Sequence, residues 1–268
     1  RCRESRVPAV LEMLGVPYLG SDPLTLAAAL DKDMARRLVG ECIRVPKGLA
    51  LAADFPPDRV ETTLARFFDF HAGEGPVILK PAFEGSSKGI RSGALADTAE
   101  AAAERFDQLA RDYEQPVLVE QFIAGDEVTV GLIGNGASVD VIGTMRVKPK
   151  QPTDRFVYSL DVKRNWERLV DYEAPASLPP SVRQEVHDAA VAAFQSLGCR
   201  DVARMDFRVR SGVPYFLEAN PLPGLAPRTS DLVLLAAGAG IGHAELIRRI
   251  LQVSLSRVGL AQPEAVAP

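Results

Sequence analysis

Apolar residues recur along this chain at two spacings, one helical and one alternating, with Gly and Pro marking the changes between them. The first helical pattern carries Val7, Val10, Leu11 and Leu14 on one stripe. Val16-Pro17-Tyr18-Leu19 reads as a short strand ended by Gly20. Asp22 then suits an N-cap, with Pro23 at the first helical position. The spacing predicts one helix from there to about Gly40, with Leu26, Leu30, Met34 and Leu38 as its buried stripe. Further helices are expected over 60–70, after the Pro56-Pro57 pair, and over 98–113, 181–197 (stopped by Gly198) and 243–257. The run Leu232 to Ile241 is short and rich in Ala and Gly, which suits a buried helix. Strand patterns cover 44–50, 76–80, 117–123, 127–133 and 137–143, the last two around the hairpin signal Gly134-Asn135-Gly136. Residues 144–180 are polar, Pro-containing and irregular, longer than a loop without a role should be. Hairpins mixed with helices predict an α+β fold with antiparallel sheets, not an alternating doubly wound sheet. A lobe boundary falls near 121–126, and no internal repeat is present.

The most informative alternation is Ala203-Arg-Met-Asp-Phe-Arg-Val209, followed by Val213-Pro-Tyr-Phe-Leu-Glu-Ala-Asn-Pro221. It predicts a β-hairpin with a three-residue loop, Arg210-Ser211-Gly212. That loop pairs Arg204 with Glu218 and sets Asp206 diagonal to it, with Asn220 on the same face. A two-residue loop would send Asp206 to the other face. Three oxygen donors beside a guanidinium suit Mg²⁺ carrying phosphates, because hard cations take oxygen ligands. A surface hairpin with ordinary charges is the bland alternative.

Composition narrows the classes. Hydrophobic residues make up 47% and charged residues 25% of 268 positions, which is ordinary for a soluble globular chain. A formal charge of −4 speaks against a nucleic-acid partner. No apolar run approaches the roughly 20 residues of a membrane span. Cys2, Cys42 and Cys199 have no metal-like spacing, so free thiols in a reduced, cytoplasmic setting are expected. The start at Arg1, without Met or a signal-like region, is expected to be the remnant of a domain, and the final residues 261–268 a loose tail.

Other polar residues gather meaning together. The loop Phe83-Glu84-Gly85-Ser86-Ser87-Lys88-Gly89 follows a strand ending at Lys80. It offers backbone N–H groups and hydroxyls for phosphates, although it is no Walker loop and also suits a flexible turn. Lys80 is either a snorkelling side chain or a charge clamp beside that loop. Glu120 interrupts an apolar strand, so it either faces water at an edge or needs a polar partner, such as the amino group of an adenine. Glu127 could accept from ribose hydroxyls or be an ordinary acid at a strand start.

Taken in order, Lys32 after Leu30-Asp31, Lys80-Pro81 before Glu84-Gly-Ser-Ser87, Glu120 before Gly125-Asp-Glu127, and Arg204-x-Asp206 before Glu218-x-Asn220-Pro-x-Pro-Gly224 resemble the ATP-grasp fold. Within it they resemble the D-alanine–D-alanine ligase family, over Arg1 to about Leu251. Glu12-Met-Leu-Gly-Val-Pro-Tyr-Leu-Gly-Ser21 is similar to that family's join between first and central domains. The resemblance implies residues 1–31 as an N-terminal remnant and linker, 32–120 as the central subdomain and 121–260 as the C-terminal subdomain. ATP would lie between the lobes, with Lys32 and Lys80 on its phosphates, Gly85, Ser86 and Ser87 as the lid, and Glu120 and Ile123 at the adenine. Glu127 would hold the ribose, and Lys163 would reach the γ-phosphate. Asp206, Glu218 and Asn220 would hold two Mg²⁺ ions, with Mn²⁺ an alternative. Arg204 and the Gly224 N–H would stabilise the oxyanion of a tetrahedral intermediate, with Ser86 and Lys163 also in the catalytic set.

The departures concern the amino-acid substrates. Arg164 stands where the family usually carries Tyr or His, and either changes the second-substrate pocket or is a solvated loop residue. Thr229 or Ser230 is expected to receive a substrate carboxylate, and Arg228 could pair with one instead. Gln121 replaces a Lys found in some members. The resulting expectation is a carboxylate–amine ligase forming a dipeptide through an acylphosphate, with small-molecule amino-acid substrates and a homodimer allowed. The alternatives are a related ligase joining other amino acids and a non-catalytic ATP-binding module.

Overall fold

The computed structural model describes residues 2–70, 75–85, 87–90 and 93–260, so Ser86 and the expected tail at 261–268 lie outside the described residues. The order is α1 (Arg6–Met13), α2 (Pro23–Leu30), α3 (Lys32–Val39), β1 (Gly48–Leu51), α4 (Pro57–Phe70), β2 (Val77–Pro81), β3 (Leu95–Ala96), α5 (Ala99–Tyr113) and β4 (Val117–Gln121). There follow β5 (Asp126–Asn135), β6 (Ser138–Pro149), α6 (Leu160–Arg164), α7 (Trp166–Leu169), β7 (Val170–Glu173), α8 (Pro180–Ser196), β8 (Asp201–Arg210), β9 (Val213–Asn220), α9 (Asp231–Gly238) and α10 (His243–Arg257). The strands form two antiparallel sheets, β1-β4-β2-β3 and β7-β6-β5-β8-β9. The α+β expectation holds.

The four-stranded sheet buries Val77, Leu79, Val117 and Val119 against α4 and α5, which contribute Leu64, Phe106 and Leu109. The five-stranded sheet packs Val128, Val130 and Leu132 of β5 with Ala203, Met205 and Phe207 of β8 against Ala190, Ala193 and Phe194 of α8. Its other face is apolar at one end, where Ile133 and Met145 meet Leu232 and Leu235 of α9 and Leu246 and Ile250 of α10. Beyond that end the face carries Glu127, Thr129, Arg204, Asp206 and Arg208 beside the apolar Val147, and it looks into the space between the sheets.

Several local expectations need correction. The stretch 16–19 forms no strand, and the stripe on α1 faces solvent, with Val7 67% and Leu14 69% exposed. The helix expected from 23 to 40 is broken at Asp31, whose extended backbone (φ −84°, ψ 98°) ends α2 and caps α3 through Met34 N at 3.1 Å. The break frees Lys32 N–H to reach Ala82 O at 3.1 Å, and it turns Ala35 and Val39 inward in place of Met34 and Leu38. The strand expected at 44–50 is only Gly48–Leu51. The segment 144–180 is largely ordered as the end of β6, then α6, α7 and β7, with Phe156 buried against Val147 and Val170.

The β8–β9 hairpin differs in a way that matters. Arg210 pairs with Val213, so the loop is the two-residue Ser211-Gly212, both with positive φ (52° and 81°) as a type I′ turn requires. By itself that turn would put Glu218 and Asn220 on the α8 face. A bulge between Asp206 and Phe207 opposes an extra residue, Leu217, and shifts the alternation by one. Phe216 and Ala219 therefore face the core, and Asp206 stands opposite Glu218 with Arg204 opposite Asn220. The shared face is as expected, while its pairing and its cause are not.

At the start of β8, Asp201 is a buried hub that ties the N-terminal segment to α10. It accepts from Gly20 N at 2.8 Å, Asn135 Nδ2 at 3.0 Å, and Arg257 Nε and a terminal guanidinium nitrogen at 2.8 and 2.7 Å. Burial alone would raise its pKa, but Arg257, the Gly20 N–H and Asn135 hold it below the ordinary carboxylate value. A lowered folded-state pKa means stability that is present above the unfolded value of about 3.9 and lost as pH falls through the folded one. Asp201→Asn is expected to cost about 3 kcal/mol in urea unfolding at pH 7, because it leaves Arg257 with half a partner. It should also flatten the loss of stability below about pH 4.

Candidate active site

Alternation along β8 builds the floor of the site. Ala203, Met205, Phe207 and Val209 enter the core, and Arg204, Asp206 and Arg208 between them face the cleft. Arg204 grips Asp206 side-on, with Nε to Oδ1 at 2.9 Å and a terminal nitrogen to Oδ2 at 2.8 Å. Its other terminal nitrogen donates to Asp231 at 2.9 Å. Asp206 also accepts from Thr129 Oγ1 at 2.6 Å and Asn220 Nδ2 at 3.1 Å. Burial works against the charge on Arg204, but Asp206 and Asp231 more than offset it and raise its pKa.

Lys32 crosses from α3 to this floor. Its ammonium lies 3.6 Å from Glu218 and donates to the Glu84 carbonyl. Burial pushes Lys32 below its ordinary pKa, with Lys80 adding to the effect and Glu218 opposing it. Burial would likewise raise Glu218, yet Lys32, Lys163, Arg204 and Lys80 together hold it well below the usual carboxylate range. The opposite wall is the four-stranded sheet, where Lys80 and Glu120 form a buried pair at 2.6 Å. Glu120 thus does not face water: its carboxylate is paired with Lys80 at the wall of the cleft. Glu127 pairs with Arg208 at 2.9 Å, while burial raises its pKa against that pull.

Lys32, Lys80, Ser87, Glu120, Ile123, Glu127, Lys163, Arg204, Asp206 and Glu218 line one cavity between the sheets. Lys163, Arg204, Asn220, Gly224, Arg228, Thr229 and Ser230 line a second, which shares Lys163 and Arg204 with the first. Gly85 borders a smaller pocket beside Lys32, Glu218 and Asn220. Ser86 lies outside the described residues. Arg164 is exposed and borders neither main cavity, whereas Lys163 stacks its ammonium 4.7 Å from the Tyr158 ring centre. A Cβ at Gly224 would come within 2.7 Å of Ser230 Oγ, so a side chain there would displace that hydroxyl. Ser230 Oγ accepts from Ala226 N at 3.0 Å and thereby braces the loop. Ser87 Oγ donates to Tyr158 O at 2.9 Å, joining the Gly/Ser loop to the segment carrying Lys163.

Sequence reasoning missed Thr129, Tyr158, Arg208 and Asp231. Arg208 was within reach, since it continues the alternation of Arg204 and Asp206. Asp231 carried no such signal, because it reaches the site from the first turn of another element.

Among the described residues no three His, Cys, Asp or Glu side chains form a metal cluster. A divalent ion on this face would draw the Asp206 and Glu218 carboxylates and the Asn220 amide oxygen. Each Asp206 oxygen already accepts two hydrogen bonds, so an ion would take the place of one of those donors; the donor set itself is all hard oxygen and suits Mg²⁺.

Comparison with known proteins agrees with this geometry. The family described as D-ala D-ala ligase C-terminus matches residues 70–252. The D-alanine--D-alanine ligase of Cupriavidus necator is 34% identical over 251 residues, covering 92% of this chain and 71% of that protein. Its counterpart in Albidiferax ferrireducens is 31% identical over 268 residues, covering 99% and 72%. A D-alanine--D-alanine ligase from Bacillus anthracis, solved in complex with ATP, superposes with a TM-score of 0.74 at 24% identity over 94% of this chain and 75% of that one. The VanG D-Ala:D-Ser ligase of Enterococcus faecalis gives 0.73 at 23% identity over 93% and 68%. With the motifs in order, the charged cleft between two sheets and these matches, the chain belongs to the D-alanine–D-alanine ligase family of ATP-grasp enzymes, ligases that form a C–N bond at the expense of ATP.

Proposed function

We propose that the chain joins the carboxylate of one amino acid to the amine of a second, D-alanine in both positions, through an acylphosphate. The observation that carries this reading is the single face bearing Arg204, Asp206, Glu218 and Asn220, with Lys32, Lys80 and Lys163 around it. Three lysines converging on one cleft, two of them buried, suit the triphosphate of ATP. The buried Lys80–Glu120 pair and Ile123 suit the base end, and Glu127, held by Arg208, the ribose. The change of sheet between Gln121 and Asp126 supports a central part ending near 120 and a C-terminal part from 121.

In the first step the donor carboxylate attacks the γ-phosphorus and ADP leaves. Lys32 and Lys163 offset charge on the transferred group. Mg²⁺ on Asp206, Glu218 and Asn220 would supply further charge neutralisation between the phosphates. In the second step the acceptor amine attacks the acyl carbon, and the oxyanion that develops is met by Arg204 and the Gly224 N–H before phosphate departs. The second cavity takes the acceptor. Thr229 and Ser230 each keep an O–H to donate to its carboxylate, since Ser230 Oγ braces the loop only as an acceptor. The acylphosphate must be kept from water, and the Ser87–Tyr158 contact supports closure by the two loops together. Arg228 in the second cavity supports a second reading of the same chemistry, a ligase whose acceptor is another amino acid.

ADP release with ATP, Mg²⁺ and a panel of D- and L-amino acids, with product masses read from the same reactions, tests the proposal. A D-alanyl-D-alanine mass is the expected product. ADP release with another pair alone would select the second reading, and none with any pair would overturn both. Asp206→Asn keeps the side chain's size but loses one of its two bonds from Arg204, and it should lower Mg²⁺-dependent ADP release at least about 100-fold with unchanged circular dichroism. Lys80→Met should weaken ATP binding about tenfold or more by calorimetry. It should also destabilise the protein by about 3 kcal/mol, because Glu120 stays buried without its partner. Adding Glu120→Gln should recover stability without recovering affinity.

A further inference from the structure

We propose that Asp231 is a positioning residue that fixes the guanidinium of Arg204 for the bond-forming step. The inference rests on the ligase reading above and adds to it. A guanidinium has five N–H donors. Asp206 takes two of them, from Nε and one terminal nitrogen, and Asp231 takes one from the other terminal nitrogen at 2.9 Å. That leaves one N–H on each terminal nitrogen for a reacting oxygen. Asp206 holds only one edge of the plane, and Asp231 holds the fork from a different strut.

That strut is rigid and close for a reason visible in the chain. Asp231 is the first residue of α9, where the helix N-terminus favours a carboxylate. Leu232, Leu235 and Ala236 are fully buried and seat one face of the helix against the sheet. Two glycines permit the approach: a Cβ at Gly131 would come within 2.6 Å of Leu235 Cδ1, and one at Gly143 within 2.6 Å of Leu235 O. The same helix thus seats directly on β5 and β6 while its first side chain reaches Arg204 on β8. Asp231 also borders both cavities, at the wall they share, where the acyl group and the amine must meet.

The test compares wild type with Asp231→Ala and Asp231→Asn, the second of which keeps a hydrogen-bond acceptor. Asp231→Ala should lower kcat for dipeptide formation about 10- to 100-fold while the Kd for ATP changes less than about twofold, and Asp231→Asn should restore most of the rate. Nitrogen-detected NMR reads the positioning without catalysis. In wild type the two terminal nitrogens of Arg204, assigned by their absence in Arg204→Lys, should give separate signals. In Asp231→Ala they should merge as the group rotates, and in Asp231→Asn they should stay separate. Merged signals in wild type, separate signals in Asp231→Ala, or equal kcat values would each overturn the proposal. Absence of ADP release by wild type with every amino acid would break the ligase reading, whereas the NMR result would still decide whether Asp231 fixes Arg204.

Discussion

The bulge at Leu217 is the constraint on which the site depends. A type I′ turn at Ser211-Gly212 closes the β8–β9 hairpin and fixes its register near the turn. Continued without interruption, that register would bury Glu218 and Asn220 against α8. The extra residue advances β9 by half a pleat, so Phe216 before the bulge and Ala219 after it both enter the core. Core packing on either side of Leu217 thus over-determines the shift. The polar face follows because the apolar face has nowhere else to go.

Charge balance then organises the cleft. Taken singly, each of Lys32, Arg204, Glu127 and Glu218 is buried enough for desolvation to disfavour its charged form. They are tolerable together because every cation has a carboxylate or carbonyl in reach. Lys32 is the link across the two sheets, with its backbone on Ala82 beyond β2 and its ammonium between Glu84 and Glu218. Arg208 plays the same part beside it, donating to the Gly125 and Phe156 carbonyls and to Glu127 while its plane lies about 5.4 Å from the Phe122 ring centre. A phosphate-bearing substrate entering this cleft meets cations already desolvated and oriented, which makes their fields stronger than on an open surface.

The break at Asp31 and the order in the 150–173 region belong to the same logic. A continuous helix from Pro23 would satisfy local propensity, but it would deny Lys32 its backbone tie to Ala82. Asp31 resolves the conflict by ending one helix and capping the next. Tyr158 and Tyr172, joined through their hydroxyls, and Trp166 stacked 5.3 Å from the Tyr172 ring centre give the Lys163 segment an aromatic base that polarity alone did not suggest.

By itself the sequence determined the α+β class, most helices, the alternation of β8 and the ordered set of polar residues, because periodicity and spacing are local properties. Glu120 and Lys80 could be singled out as odd in apolar strands, and Asp22 and Gly198 as helix punctuation, for the same reason. Only the tertiary structure decided what those residues touch. The partner of Glu120 is set by the pairing of β2 with β4, and the facing of Glu218 by a bulge that packing selects. The hold of Asp231 on Arg204 is set by a helix that two glycines admit close to the sheet. Each of these joins residues far apart in the chain, and no local pattern encodes a contact whose energy appears only when distant elements close on one another.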